Sequence, residues 1–117
     1  MSDITIEQLR QKISDFAAAR DWDQFHSPKS LSMAMIVEAA ELVEHFQWLT
    51  EEQSQSLPDG KCAEVENELA DIFIYLIRMA DKLDIDLLNA ANNKLKINAE
   101  KYPADKVRGS AKKYTEY

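Results

Sequence analysis

The stretch that decides the fold is LSMAMIVEAAELVEHFQWL, residues 31–49. At helical spacing, one stripe of this segment carries apolar side chains together with two carboxylates, Glu38 and Glu41, three residues apart. The opposite stripe is also mostly apolar, so we expect this helix to be buried in a bundle or between subunits. Adjacent buried carboxylates repel each other and lose hydration. Since the segment contains no lysine or arginine, a cation from elsewhere should meet them.

A second acidic pair, Glu68 and Asp71, repeats this spacing within VENELADIFIYL, residues 65–76. If the two helices pack antiparallel, all four carboxylates converge on one spot. An oxygen-rich site of this kind suits Mg²⁺ or Mn²⁺. Di-iron bundles have Glu-x-x-His spacing, and neither of these helices has it. This absence favours Mg²⁺ over iron. The alternative is ordinary salt bridging on a helix surface. The core stripe expected for the second helix comprises Val65, Leu69, Ile72, Leu76, Ala80 and Leu83.

Composition indicates a soluble all-α protein of one domain. The chain has 117 residues, of which 45% are hydrophobic and 30% charged, with two glycines, three prolines and no segment of period-two alternation. We expect a four-helix bundle-type domain over residues 1–117, with an ordered core at about 4–103 and a basic C-terminal segment at 104–117. The sequence shows no targeting signal or membrane span, and its single cysteine is Cys62. These features predict a cytoplasmic protein with no membrane partner.

The charge is unevenly distributed along the chain. Its net value of −7 disfavours binding to nucleic acid, yet residues 94–117 carry seven basic groups against three acidic ones. An acidic site followed by a basic segment suits an anionic ligand that arrives with a metal ion. A solvated basic tail is the alternative.

Capping and breaking residues set the expected bounds of the first two helices. Thr5 and Gln8 form a capping box that begins a helix running to about Arg20. Pro28 should end any earlier helix and leave Ser30 to cap the central one. The aromatic residues between Arg20 and Pro28 could either cover the core or form a surface for a planar ligand.

The second half of the chain has similar signals. A capping box at residues 50–53 predicts a short helical turn, and residues 58–60 predict the main turn of the bundle. The third helix should span Lys61 to Leu83. Asp86 should cap a fourth helix that runs to about Tyr102.

Taken together, these motifs resemble the MazG-like all-α nucleoside triphosphate pyrophosphatases, and within them most closely the dCTP pyrophosphatase branch. The metal motifs of the family, Glu-x-x-Glu and Glu-x-x-Asp, match EAAE at 38–41 and ELAD at 68–71. The resemblance covers nearly the whole chain. The further matches are RDWDQFH at 20–26, FQW at 46–48, IYL at 74–76, IN at 97–98, YP at 102–103 and KYTE at 113–116.

The resemblance implies the roles of individual residues. Glu38, Glu41, Glu68 and Asp71 would be the catalytic residues and would hold Mg²⁺, with Mn²⁺ as a possible substitute. Some relatives have a substrate-contacting histidine in the first helix, where this chain has Ile13. The pocket for base and sugar would comprise Trp22, Asp23, Gln24, Phe25, His26, Trp48 and Tyr75. The candidate phosphate contacts are Lys94, Lys101 and Lys113, with Asn98 as a neutral donor.

The implied reaction is hydrolysis of dCTP, or a modified dCTP, between the α and β phosphates, which releases the monophosphate and pyrophosphate and cleans the nucleotide pool. Glu41 is the candidate general base. Because family members form dimers of dimers, we expect a homotetramer whose sites are completed by more than one chain. The rival interpretations are a dUTP or other nucleotide pyrophosphohydrolase of the superfamily, and a non-catalytic helical protein that binds nucleotide or a partner.

Overall fold

The computed structural model describes residues 3–111 and 114–116, and every regular element within them is helical. This confirms the all-α prediction. None of the helices in the described part of the chain is both long and apolar enough to cross a bilayer. The helices are α1 (Ile6–Ala19), α2 (Pro28–Glu44), α3 (Glu51–Ser54), α4 (Asp59–Lys82), α5 (Leu87–Lys101) and α6 (Ala104–Val107), with short 3₁₀ helices at Asp23–Phe25 and Tyr114–Glu116.

The chain divides into two compact units, Met1–Asp84 and Ile85–Tyr117. In the first unit, α2 packs along α4, and α1 packs against α4. His45, just after α2, lies beside Glu64 in the first half of α4. His26, just before α2, is hydrogen-bonded to Arg78 near the end of α4. The two helices are therefore antiparallel. The second unit contains α5 and α6.

Three of the expected caps are present. The side chain of Thr5 accepts from the Gln8 amide and the Gln8 side chain accepts from the Thr5 amide, which completes a capping box. Thr50 begins α3 with a second box of the same kind. Asp86 accepts a hydrogen bond from the Asn89 amide at the start of α5. Each of these signals is local, so the sequence alone is sufficient to locate it.

The bounds predicted for the central helix are wrong at both ends. Ser27, not Ser30, is the N-cap of α2, and its hydroxyl accepts from the Ser30 amide at 3.1 Å. Pro28 occupies the first turn, where a missing N–H costs nothing. The helix ends at Glu44 because the next amides bond three residues back, to Leu42 and Val43, which tightens the last turn. Residues 45–49 are turns and a bend.

The turn predicted at residues 58–60 is also wrong. Pro58 is the N-cap of α4, and the helix begins at Asp59, two residues before the predicted start. Pro58 has an extended backbone, with φ −60° and ψ 152°, which suits an N-cap position. The predicted end of this helix was one residue late, because α4 ends at Lys82.

The core of the first unit is small, and α4 turns only half of the predicted core stripe toward it. Leu69, Leu76 and Leu83 are 52%, 37% and 48% exposed, so half of the expected core stripe lies on the surface. The other half, Val65, Ile72 and Ala80, is buried or half-buried, and Glu68 lies with it on the packed side of the helix. The outward stripe of α2 is also exposed. The buried apolar side chains are Ala17, Leu31, Val65, Ile77 and Ala80.

Candidate functional site

Three carboxylates from α2 and α4 form a cluster. One oxygen from each of Glu38, Glu41 and Glu68 lies within 4.8 Å of the others, and all three side chains are half-buried. The arrangement follows from the antiparallel packing, which turns the i, i+3 pair of α2 toward the stripe of α4 that contains Glu68. Three convergent carboxylates of this kind could hold a metal ion.

The surroundings of the cluster fit a bound cation. The Oε2 atom of Glu68 is buried and accepts no hydrogen bond from any residue that the structure describes. Over residues 3–111 and 114–116, no lysine or arginine forms an ion pair with the three carboxylates. The pKa of Glu38 is raised to about 7, first by burial, then by the adjacent carboxyl groups of Glu68 and Glu41, with a further contribution from the charge of Asp71. A divalent cation would offset the repulsion among the three carboxylates and would give Glu68 Oε2 a partner.

Asp71 lies at the edge of this cluster. It is exposed, one turn after Glu68 on α4, and it does not belong to the group of three whose oxygens lie within 4.8 Å. Burial, followed by the charges of Glu38 and Asp71, raises the pKa of Tyr75. Asp71 also lines the neighbouring pocket. It therefore lies at the junction between the carboxylates and that pocket.

His45 contacts the cluster from the end of α2. Its Nε2 atom lies 3.9 Å from Glu68 Oε1, and its Nδ1 atom lies 3.6 Å from Glu64 Oε2. Nδ1 is also 3.3 Å from Lys61 Nζ. The imidazole thus connects a carboxylate of the cluster to a charged pair at the start of α4.

The pocket beside Asp71 has a volume of about 220 Å³ and mostly apolar walls. The rings of Phe16 and Trp22 meet edge to face, with centroids 5.7 Å apart, and the Arg20 guanidinium lies 3.6 Å from the centre of the Phe16 ring. Flat apolar walls with a few polar groups suit a planar heterocycle. The pocket is lined by Ile13, Phe16, Ala17, Trp22, His26, Asp71, Ile74, Tyr75 and Arg78.

Trp22, His26 and Tyr75 are therefore brought together, while other residues of the expected base pocket lie outside this cavity. The Gln24 side chain donates to the backbone and carboxylate oxygens of Asp21. Phe25 is 63% exposed, and Trp48, in the turns after α2, is 87% exposed.

The sequence analysis missed Arg78, the most buried charged side chain near the pocket, which is only 4% exposed. Its Nη2 atom donates to Asp23 Oδ1 at 2.7 Å, and its Nε atom donates to His26 Nδ1 at 3.1 Å. Lys82 also donates to Asp23, and the two cations lower the pKa of that carboxyl, Lys82 more strongly. A single arginine between Ile77 and Met79 in an apolar run was the available signal.

The expected phosphate contacts belong to the second unit. Lys94, Asn98 and Lys101 follow each other at i, i+4 and i+7 on α5, so they share one face of that helix. Lys113 lies outside the described residues.

The chain was compared with known families and proteins, because an acidic cluster beside an aromatic pocket in a helical unit suggests an enzyme that binds a metal and a nucleotide. The model of the MazG-like family matches residues 33–117, and this chain belongs to that family. The chain is 42% identical over 114 residues to dCTP pyrophosphatase 1 of Mus musculus, covering 96% of this chain and 67% of the relative. For dCTP pyrophosphatase 1 of Homo sapiens the identity is 41% over the same length and coverage. The resemblance inferred from the sequence is confirmed.

A solved structure has the same fold. The crystal structure of a pyrophosphatase from Archaeoglobus fulgidus superposes with a TM-score of 0.81 at 33% sequence identity. The match covers 88% of this chain and 96% of that chain. The fold found here is thus that of a pyrophosphatase.

Proposed function

We propose that this protein is a Mg²⁺-dependent nucleoside triphosphate pyrophosphohydrolase that acts on dCTP or a modified dCTP. The products are the nucleoside monophosphate and pyrophosphate, and the cellular role is nucleotide pool sanitation. The observation that carries the proposal is the convergence of Glu38, Glu41 and Glu68 within 4.8 Å, beside an aromatic pocket. The 42% identity to dCTP pyrophosphatase 1 supports the choice of base.

The metal would be held by Glu38, Glu41 and Glu68, with Asp71 at the edge. All the donors are carboxylate oxygens, which Mg²⁺ prefers and Mn²⁺ accepts. Bound Mg²⁺ would supply positive charge against the triphosphate oxygens and order a water molecule for attack. Glu41 is our candidate to accept the proton of that water.

The pocket would bind the base and orient the rest of the nucleotide. Trp22 offers a flat apolar surface, and His26 and Tyr75 offer hydrogen-bonding groups. Asp71 lies at the junction between the pocket and the carboxylate cluster. A nucleotide whose base occupies the pocket would therefore extend its phosphates toward the carboxylates. Positioning of this kind is a major part of phosphoryl-transfer catalysis. Lys94, Asn98, Lys101 and Lys113 stay our candidates for contacts with the phosphates.

A homotetramer, arranged as a dimer of dimers, is the proposed assembly. It is supported by the exposed apolar stripe of α2, in which Met33, Ile36, Val37 and Val43 are 58%, 64%, 55% and 58% exposed. A soluble helix with an apolar outward stripe needs a second surface to cover it. We further propose that residues 1–117 form one functional domain, that the protein is cytoplasmic, and that it binds neither nucleic acid nor membranes.

Light scattering tests the assembly directly. We expect a mass of about four chains of 13.4 kDa each, and Ile36→Glu should reduce it, because a buried charge without a partner opposes association. The matched control is Gln55→Glu, at an exposed polar position outside α2. A native protein that elutes as a monomer and still hydrolyses nucleotide would exclude the tetramer.

Hydrolysis of a nucleotide panel with Mg²⁺ tests the activity itself. The account predicts that dCTP or a 5-substituted dCTP gives the highest kcat/KM, and that the products are the monophosphate and pyrophosphate. Release of inorganic phosphate with a diphosphate product would contradict the proposed reaction. A preference for dUTP would support the rival enzyme, and no turnover on any nucleotide would support the binding protein.

A further inference from the structure

The contact between Arg78 and His26 fixes a chemical property of the pocket. His26 lines the cavity on the loop before α2, and Arg78 reaches it from α4, 52 residues later. The bond runs from Arg78 Nε to His26 Nδ1 at 3.1 Å. Arg78 is itself held by Asp23 at 2.7 Å, and its side chain is only 4% exposed. The guanidinium therefore has one well-defined position.

This bond dictates which nitrogen of His26 carries the proton. The guanidinium of arginine only donates, because it stays protonated at all ordinary pH values. His26 Nδ1 must therefore accept. A neutral imidazole has one acceptor and one donor nitrogen, so its proton resides on Nε2.

We propose that Arg78 is a positioning residue that fixes His26 as the Nε2–H tautomer, so that this side chain offers the base a donor and no acceptor. The inference rests on the proposed function, since it takes the pocket as the base site. A donor at His26 Nε2 selects ligands whose heterocycle has hydrogen-bond acceptor atoms along one edge. Cytosine has two adjacent ones, O2 and N3.

The charges around His26 favour the same state. Arg78 and Lys82 approach it from α4, and Asp23 from the preceding 3₁₀ helix. The pKa of His26 is lowered by burial first, then by Arg78 and Lys82, while Asp23 opposes them. The other titratable groups that line the cavity are Asp71 and Tyr75. An imidazolium would have to give up the bond from Arg78, because both of its nitrogens donate.

The test compares two substitutions at one position. In Arg78→Gln, the side-chain nitrogen follows Cδ just as Nε does in arginine, so a donor to His26 Nδ1 remains while the charge is lost. Arg78→Met has a similar length and no donor. Arg78 Nη1 also lies 3.6 Å from Asp81 Oδ2. Both variants should fold, because Asp23 keeps Lys82 as a partner and Asp81 keeps Arg10. Circular dichroism and thermal melting check this.

Nitrogen NMR of ¹⁵N-histidine-labelled protein reads the tautomer without any need for activity. The chain has two histidines, and His26→Asn identifies the signals of His26. At pH 8 we expect the Nε2–H tautomer in the wild type and in Arg78→Gln, and a mixture of the two neutral tautomers in Arg78→Met, which lacks the donor to Nδ1. An Nδ1–H or protonated His26 in the wild type would overturn the proposal whatever the variants do.

Kinetics provide the second reading. Arg78→Met should raise KM for dCTP about tenfold with kcat changed less than about threefold, as expected for the loss of one oriented hydrogen bond in binding. Arg78→Gln should restore KM to within about threefold of the wild type. Equal losses in both variants would refute the donor role and leave only a role for the charge. If wild-type protein hydrolyses no nucleotide, the proposed function fails while the NMR result still decides the tautomer.

Discussion

Two polar clusters of α4 are built in opposite ways. Around Glu68, carboxylates meet one another, and an oxygen is left with no hydrogen-bond partner in the described part of the chain. About three turns later, Arg78 is more deeply buried, yet its guanidinium is bonded to His26 and Asp23. The Arg78 cluster is complete within the chain. The Glu68 cluster has the arrangement of acidic groups that could hold a metal ion.

This difference supports the proposal that a cation binds at the Glu68 cluster, whereas the charge of Arg78 already has partners within the described chain. Burying a charge without a partner is costly, and a fold retains such an arrangement where a ligand offsets the cost. The pKa of Glu38 is raised for the same reason, because burial and the neighbouring carboxyl groups of Glu68 and Glu41 disfavour its charged form. The two clusters should therefore respond differently to substitution and to metal.

The largest expected effect concerns turnover. Glu41→Gln and Asp71→Asn should each lower kcat on dCTP by about 1,000-fold, because the loss of one carboxylate removes several kcal/mol of transition-state charge stabilisation. The fold should persist, since neither side chain is fully buried. The control is Glu44→Gln, an exposed acid on the same helix. Pyrophosphate release is the assay, and residual activity above a tenth of the wild type would contradict the role of these residues.

The next effect concerns stability in the absence of divalent ions. The pKa of Glu38 is about 7 in the fold, above its ordinary value of 4.5. Its contribution to the free energy of unfolding is therefore complete below pH 4.5 and is lost as the pH rises through 7. We expect the free energy of unfolding to fall by about 2 kcal/mol between pH 5 and pH 8. Saturating Mg²⁺ should abolish most of this decrease.

Urea denaturation at several pH values measures this effect. Glu38→Gln is the matched variant, because it keeps the side-chain shape and removes the titration, and its stability should vary less with pH. An identical pH dependence in the wild type and in Glu38→Gln would assign the loss to other groups.

The smallest expected effect concerns the completed cluster. Lys82→Met removes one of two cations bonded to Asp23 and leaves the bond from Arg78 in place. Because Asp23 is exposed and Lys82 partly exposed, we expect only a slight fall in melting temperature, with KM for dCTP unchanged. A fall as large as that of Arg78→Met would show that Asp23 needs both cations.

The sequence was sufficient where the signals are local. The capping boxes at Thr5 and Thr50 depend on residues three positions apart, and both are present. The misplaced start of α2 had a local cause too, because Pro28 was taken to end a helix when it occupies the first turn of one. Periodicity located only part of the buried face of α4, since adjacent stripes of this helix are both apolar and the predicted one is half buried.

Long-range pairings explain the remaining differences. The closeness of Glu38 and Glu68 could be proposed because each belongs to an acidic pair on an apolar stripe, which is a pattern visible in the sequence. The bond between Arg78 and His26 joins residues 52 positions apart and has no such repeat. Only the packing of α4 against the preceding loop reveals it.

The most direct test of the central claim is a Mn²⁺ titration followed by electron paramagnetic resonance, with and without a dCTP analogue whose α and β phosphates are joined by a methylene group. The account predicts that the protein binds Mn²⁺, that the analogue tightens binding, and that Glu68→Gln weakens it at least tenfold while Lys82→Met has no effect. Equal Mn²⁺ affinity in the wild type and in Glu68→Gln, with or without the analogue, would contradict the assignment of the carboxylate cluster as the metal site.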